Sequence, residues 1–183
     1  MTQPLSRRQF LRGDYRNRRP VLRPPWALAE RLFLVTCTRC GDCARACPAD
    51  VLRIAHDGFP QVYFDRGGCS FCGACVDACG AGALSRAVRG DARPLPWNLK
   101  AQIAVDCLAV QGIECAVCRE QCEARAIMLD RLPGVIARPR VNIRACTGCG
   151  ACVRSCPARA IYMTAFHSIF AHDPHPREED PCT

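Results

Sequence analysis

Apolar residues in this chain come in short runs, and the runs recur in the same order twice. From Leu32 onward the order is apolar run, cysteine-rich loop, apolar run, turn, apolar run, cysteine-rich loop, apolar run. In the first copy Leu32-Phe33-Leu34-Val35 leads into Cys37–Cys47. Val51-Leu52-Arg53-Ile54 and Gln61-Val62-Tyr63-Phe64 then flank Asp57-Gly58, Cys69–Cys79 follows, and Ala83-Leu84 closes the copy. Apolar runs of this length bounded by turn residues predict strands, and Asp-Gly predicts a tight turn. The second copy opens with Gln102-Ile103-Ala104-Val105 and Cys107–Cys122. Ala126-Ile127-Met128-Leu129 and Val135-Ile136-Ala137 then flank Pro133-Gly134. Val141-Asn142-Ile143 leads into Cys146–Cys156, and Ala160-Ile161-Tyr162-Met163 ends it. Repetition at this scale predicts two tandem units of α+β class, over 31–88 and 102–170, joined by a linker over 89–101.

The flanks lack that pattern. Residues 1–30 form an arm rich in Arg and Pro, where Pro20, Pro24 and Pro25 oppose a continuous helix. The arm is expected to be extended and flexible, with a short helix at its end over Trp26–Phe33. The charged, Pro-rich stretch 171–183 is expected to be a disordered tail.

Cysteine changes the picture most. The chain of 183 residues contains 17. Disulfides, zinc and iron–sulfur clusters are the three explanations for such a density. Three runs decide between them: Cys37-x2-Cys40-x2-Cys43-x3-Cys47-Pro48, Cys69-x2-Cys72-x2-Cys75-x3-Cys79, and Cys146-x2-Cys149-x2-Cys152-x3-Cys156-Pro157. Three thiolates two residues apart wrap around three corners of a cubane, and the fourth reaches the cluster of a partner run. Structural zinc instead uses two separated Cys-x2-Cys knuckles around one ion. The spacing therefore points to [4Fe–4S] clusters in bacterial ferredoxin-like units. Small residues within the loops, among them Gly41, Gly73, Ala74, Gly148 and Gly150, let backbone N–H groups approach sulfur and tune the potential. The fourth cysteine of each run is expected to begin a short helix.

The remaining run departs from the rule as Cys107-x7-Cys115-x2-Cys118-x3-Cys122, with Leu108–Glu114 filling the longer gap. It is read as a full ligand set; the bland reading makes Cys107 a structural thiol. Gly80 and Glu123 stand where Pro48 and Pro157 follow the other fourth cysteines, a change the turn should tolerate. Sixteen cysteines thus supply ligands for four [4Fe–4S] clusters. Local pairing gives the sets Cys37, Cys40, Cys43 and Cys79; Cys69, Cys72, Cys75 and Cys47; Cys107, Cys115, Cys118 and Cys156; Cys146, Cys149, Cys152 and Cys122. The alternative pairs the first run with the fourth and the second with the third. Connections of 21 and 23 residues within the copies, against 27 between them, favour local pairing only mildly.

Charge follows from the same assignment. The formal +8 counts cysteine as neutral thiol. A [4Fe–4S]2+ core with four thiolates carries about −2, so four such sites carry about −8 and cancel the excess. The basic balance is then no argument for nucleic acid. The cations are arginines apart from the single lysine, Lys100. Arginine stays charged when desolvated and donates to sulfur or carbonyl acceptors, which suits a cluster-bearing surface.

The rest of the sequence carries little chemistry. Cys182 stands alone in the tail and reads as a free thiol. His56, His167, His172 and His175 lack ligand spacing. Phe71 inside the second loop reads as packing or as a shield against water. No phosphate loop, nucleophile elbow, dinucleotide fingerprint or paired acid–base arrangement is present. Clusters with four cysteine ligands leave no open iron position, so an electron carrier is expected and not an enzyme.

The opening Ser6-Arg7-Arg8-Gln9-Phe10-Leu11-Arg12 looks like a twin-arginine signal, but the charged Gly13–Pro20 follows in place of an apolar segment. No run approaches the length of a spanning helix. A cytoplasmic location is expected, where thiols stay reduced. Together, this opening, the four runs, the widened third run and the size resemble the NapF-type ferredoxins encoded with periplasmic nitrate reductase. That resemblance covers almost the whole chain. It implies a cytoplasmic accessory protein that contacts the immature catalytic molybdenum subunit before export and helps insert or reduce its [4Fe–4S] cluster. Two other readings stand beside it: a general electron-transfer ferredoxin feeding a reductase or quinol-linked chain, and a subunit whose clusters only hold the fold. Arg7-Arg8 with Phe10 and Leu11 would suit docking to an acidic, partly apolar groove.

Overall fold

The computed structural model describes residues 21–86, 96–130 and 133–166. The expectations for residues 1–20, for the linker stretch 87–95 and for 167–183 (Cys182, His167, His172 and His175 among them) lie outside the described residues.

The first copy is built on helix α1 (Glu30–Thr36), helix α2 (Asp42–Arg45), strands β1 (Leu52–Ile54) and β2 (Pro60–Val62), and helix α3 (Ala74–Asp77). The second contains β3 (Leu99–Ile103), α4 (Val117–Glu120), β4 (Ile127–Asp130), β5 (Arg138–Val141), α5 (Ala151–Ser155) and β6 (Ile161–Ala165). The strands form three two-stranded antiparallel sheets, β1–β2, β3–β6 and β4–β5.

Local sequence explains the hairpins. β1 and β2 pair with Leu52 opposite Val62 and Ile54 opposite Pro60. The Asp57-Gly58 turn closes them: the Asp57 carboxylate accepts the Phe59 N–H at 3.1 Å, and Gly58 takes φ of +79°, where only a residue without Cβ is unstrained. β4 and β5 pair with Ile127 opposite Val141 and Leu129 opposite Pro139. This strand starts later than the expected Val135–Ala137. Pro139 fits it because the two-stranded sheet consists only of edges.

One expected strand is a helix. Leu32–Val35 lies within α1, which begins with Glu30 at its positive end. The short helix expected over Trp26–Phe33 starts later, at Glu30, and runs on to Thr36, with Trp26 turning the chain ahead of it at φ +57°. A short apolar run does not discriminate strand from helix by itself. The pairing position opposite Leu84 is filled by Ala27 and not by Leu32–Val35. As a helix, the segment drives Phe33 into the core with 0% exposure. The second copy keeps a full strand in the equivalent place: β3 pairs with β6 over five positions, from Leu99–Ala165 to Ile103–Ile161.

A single apolar core joins both copies. Phe33, Val51, Leu52, Phe59, Val62 and Phe64 belong to it with Leu99, Ala101, Ile127, Ile161 and Met163, and no polar side chain is buried among the described residues. A smaller cluster of Cys107, Ala109 and Ala160 lies under the widened loop. No helix among the described residues is long and apolar enough to cross a membrane.

Candidate cluster-binding site

The cysteine loops share a backbone plan. In the first, second and fourth runs, the residue two after the first cysteine is left-handed: Arg39 at +60°, Phe71 at +55° and Gly148 at +82°. The residue after the second cysteine is left-handed as well, with Gly41, Gly73 and Gly150 at about +80° capping α2, α3 and α5. Two such reversals curl the loop so that its three cysteines face inward. Each cap turns the chain into a one-turn helix that buries the third cysteine: Cys43, Cys75 and Cys152 are 7–8% exposed.

The fourth cysteine does not begin the helix, as was expected; it follows it. Cys47 and Cys79 lie just past α2 and α3, and Cys156 is the residue after α5. Three residues beyond each fourth cysteine the chain turns left-handed again, at Asp50, Gly82, Arg125 and Arg159. Each of these N–H groups donates back to the cysteine carbonyl at 2.8–3.1 Å. The turn is the same after Pro48, Gly80, Glu123 and Pro157, so proline is dispensable there. The sulfurs of Cys79, Cys122 and Cys156 each accept a backbone N–H, from Leu84, Ala126 and Ala160, at 3.2–3.4 Å.

The third run reaches the same end differently. Its cap position is Ala116 at φ −130°, and α4 still buries Cys118. Leu108–Glu114 folds as consecutive turns, with the Gln111 N–H bonded to the Cys107 carbonyl at 2.9 Å and Ile113 to Leu108 at 2.8 Å. Cys107 is thereby pressed inward, to 7% exposure.

Tertiary packing gathers the cysteines into sets. Cys37, Cys40, Cys43 and Cys79 line one recess with Phe33, Pro60 and Leu84, enclosing about 340 Å3 together with its mouth. Cys47, Cys69, Cys72 and Cys75 line a second of about 340 Å3 with Pro25, Val51 and Phe71. Cys107, Cys115, Cys118 and Cys156 line a third of about 310 Å3 with Val117, Pro139 and Ile161. Cys122, Cys146 and Cys149 are close enough to Cys152 to act on it electrostatically. Each unit thus crosses over its fourth cysteines, and Cys107 shares its recess with three others. Phe71 walls its recess and also packs on Trp97.

The electrostatics of the bare thiols fit a cationic occupant. Burial pushes Cys43 up to about 11, and Cys37, Cys75 and Cys79 push the same way. Burial likewise raises Cys69, Cys75 and Cys118 to about 11 and Cys152 to about 12, with neighbouring cysteines adding to each. Four thiolates in one apolar recess repel one another and lack water, so they need compensating positive charge. Exposed Cys72 is lowered by the backbone N–H groups around it, that of Ala74 first. Among the described residues, no group of three or more His, Cys, Asp or Glu is arranged to hold a single metal ion. Four soft donors spread around an apolar void of this size instead suit a polynuclear iron–sulfur centre.

Cations stand around the loops as the composition suggested. Arg45 donates to the Cys40 carbonyl at 3.1 Å, Arg86 to Cys72 at 3.3 Å, and Lys100 to Cys146. Trp97 was missed, having been assigned to the linker. Its indole lies edge-on to Phe64 at 5.9 Å and to Phe71 at 5.5 Å, and its N–H donates to the Thr147 carbonyl at 3.3 Å. An aromatic residue directly after Pro94-Leu95-Pro96 was the available signal.

Comparisons with known proteins agree with this chemistry. The 4Fe-4S dicluster domain matches residues 36–83, and a second domain of that description matches 112–162. The chain is 43% identical to the "Ferredoxin-type protein NapF" of Haemophilus influenzae, covering 87% of this chain and 93% of the relative. It is 40% identical to the protein of the same description from Escherichia coli K12, covering 89% of this chain and 96% of the relative. "Ferredoxin-type protein NapG" of Escherichia coli is 37% identical over 74% of this chain and 65% of that relative. A chain from the membrane-bound sulfane sulfur reductase, an archaeal respiratory membrane complex, covers 46% of this chain and 53% of its own length at 24% identity. Its TM-score of 0.26 is too low to inform the fold.

Proposed function

The chain belongs to the NapF-type ferredoxins, and from that premise we propose that it is a cytoplasmic maturation factor for the catalytic molybdenum subunit of periplasmic nitrate reductase. It is an iron–sulfur protein of the nitrate reductase system with two 4Fe-4S dicluster domains. In the proposed role it binds the immature subunit before export and helps insert or reduce that subunit's [4Fe–4S] cluster.

The observation that supports the iron–sulfur part of the reading is the grouping of cysteines: three recesses each lined by four thiols, the fourth thiol from the partner run, with Cys122, Cys146 and Cys149 gathered near Cys152. On this reading Cys37, Cys40, Cys43 and Cys79 would hold one [4Fe–4S] cluster, and Cys47, Cys69, Cys72 and Cys75 a second. Cys107, Cys115, Cys118 and Cys156 would hold a third, and Cys122, Cys146, Cys149 and Cys152 a fourth. Such clusters supply reversible one-electron chemistry. With every ligand position filled by cysteine, the site carries electrons and does not act as an enzyme on a bound substrate. The loops contribute N–H donors to sulfur, apolar walls that exclude water, and cations that offset the thiolate charge. Cys40 and Cys72 are exposed, so the first two sets have an edge that a partner can approach.

The test is an anaerobic iron-transfer assay. Protein loaded with labelled iron is mixed with the cluster-free catalytic subunit, the two are separated, and label and nitrate reduction are measured. Activity gained with or without label transfer supports maturation, by donation or by reduction respectively. A target that neither binds the chain nor gains activity overturns it and leaves the general electron carrier.

A further inference from the structure

The two units do not merely follow one another in the chain; they touch at their cluster loops. The Cys69 N–H donates to the Cys149 carbonyl at 2.7 Å, joining the second loop to the fourth. Beside that bond two glycines allow a close approach, Gly68 to the Ala151 backbone and Gly150 to the Phe64 ring. A Cβ on Gly68 would stand 2.9 Å from the Ala151 nitrogen, and one on Gly150 would enter the Phe64 ring. Arg154 donates to the Arg66 carbonyl at 2.8 Å across the same face. Trp97 closes it, with Phe64 and Phe71 of the first unit against its ring and Thr147 of the fourth loop on its N–H.

Within each unit the sets are neighbours for a different reason. They exchange their fourth cysteines, and the one-turn helices bearing the third cysteines pack together, α2 with α3 and α4 with α5. The order in space is therefore Cys37 set, Cys69 set, Cys146 set, Cys107 set. It differs from the order in sequence, because the second unit is turned so that its last loop meets the first unit.

We propose that the chain conducts electrons as one four-station path whose middle step crosses between the units at the Cys69–Cys149 backbone contact, with Trp97 the positioning residue that holds that contact closed. The inference rests on the four-cluster reading above. Each step moves one electron, oxidising the station it leaves and reducing the station it reaches, with no bond made or broken. The external couple is a one-electron protein donor at one end and a one-electron protein acceptor at the other. The Cys37 set and the Cys107 set are the two ends of the path.

The test uses the full holoprotein, reduced chemically until every cluster is paramagnetic, and reads the EPR spectrum together with iron and sulfide content. Neighbouring reduced clusters broaden each other's signals, and that coupling falls steeply with separation. The wild type is expected to show broadening in excess of two isolated pairs. Trp97→Ala, with iron content unchanged, is expected to lose the excess and keep the pairwise pattern; Trp97→Phe, which keeps the ring contacts, restores most of it. Gly68→Val, which wedges the contact directly, is the second variant should Trp97→Ala shed iron. A spectrum superimposable on wild type in either iron-replete variant overturns the proposal, as does a wild type showing only two isolated pairs. If both variants lose iron from the two middle sets alone, the contact holds clusters without wiring them, and the proposal again fails. A wild type without iron and sulfide would instead sink the four-cluster reading beneath it.

Discussion

The two units solve one problem with different materials. In the first, α1 lies ahead of Cys37 and drops Phe33 into the wall of the recess, while the segment before α1 is held to Leu84 by a bridge at Ala27. In the second, a five-position ladder between β3 and β6 takes over that closure, and the strand leads to Cys107 with no helix between them. The wall that Phe33 supplies in the first unit comes in the second partly from Leu108, at the start of the widened loop. Within that loop Ala109 is 1% exposed, packed with Cys107 and Ala160. A four-cysteine recess thus constrains where the thiols and the apolar wall must be. It does not constrain which element delivers them, and a helix before the first cysteine and a loop after it are interchangeable solutions.

Variants can break that equivalence. The largest effect is expected from the first cysteine of each kind of run. Cys37→Ser and Cys107→Ser should each lose one cluster's worth of iron and the matching visible absorbance. Full iron in Cys107→Ser alone would reduce the third set to three cysteines and end the comparison. Next is Phe33→Ala. A fully buried aromatic costs ~3–5 kcal/mol when truncated, and because Phe33 belongs to the core that joins both units, the whole chain should unfold at lower denaturant in one transition. A lowered midpoint in the first unit alone would mean that the two units unfold separately despite that joint core. The mirror experiment is Ala109→Leu. Overpacking beneath the widened loop should cost ~1–3 kcal/mol and loosen the third set first, seen as faster iron release to a chelator from the second unit. Unchanged release would show that the loop is not the wall it is taken for.

The smallest effect tests how α1 is held. Arg23 pairs with Glu30 at 2.8 Å and lies over Phe33 at 5.0 Å and Phe59 at 5.2 Å. Glu30 is open to solvent while the Arg23 side chain is 13% exposed, and an ion pair with one solvated partner and a cation–π contact are each worth about 1 kcal/mol. Arg23→Met should therefore shift the midpoint only slightly, well short of Phe33→Ala. An equal shift would make the cation, and not the apolar wall, the main restraint on the helix.

The sequence determined the chemistry, because chelating loops are local. Two residues between thiols and a left-handed cap after the second are properties of a run of eleven residues, legible in Cys37–Cys47 without any partner. The Asp57-Gly58 turn is equally local. Tertiary structure decided what depends on distant partners. Leu32–Val35 is helix, and Ala27 is the residue that pairs with Leu84. The choice between local and interleaved pairing turned on how the one-turn helices pack, on which loop-length entropy had little to say. Trp97 stood among linker prolines as an ordinary aromatic residue, and only the docking of the second loop on the fourth gave it a role. Short-range steric rules wrote the ligands into the sequence, whereas the order in which the four sites follow one another in space came from packing between units, which no local pattern encodes.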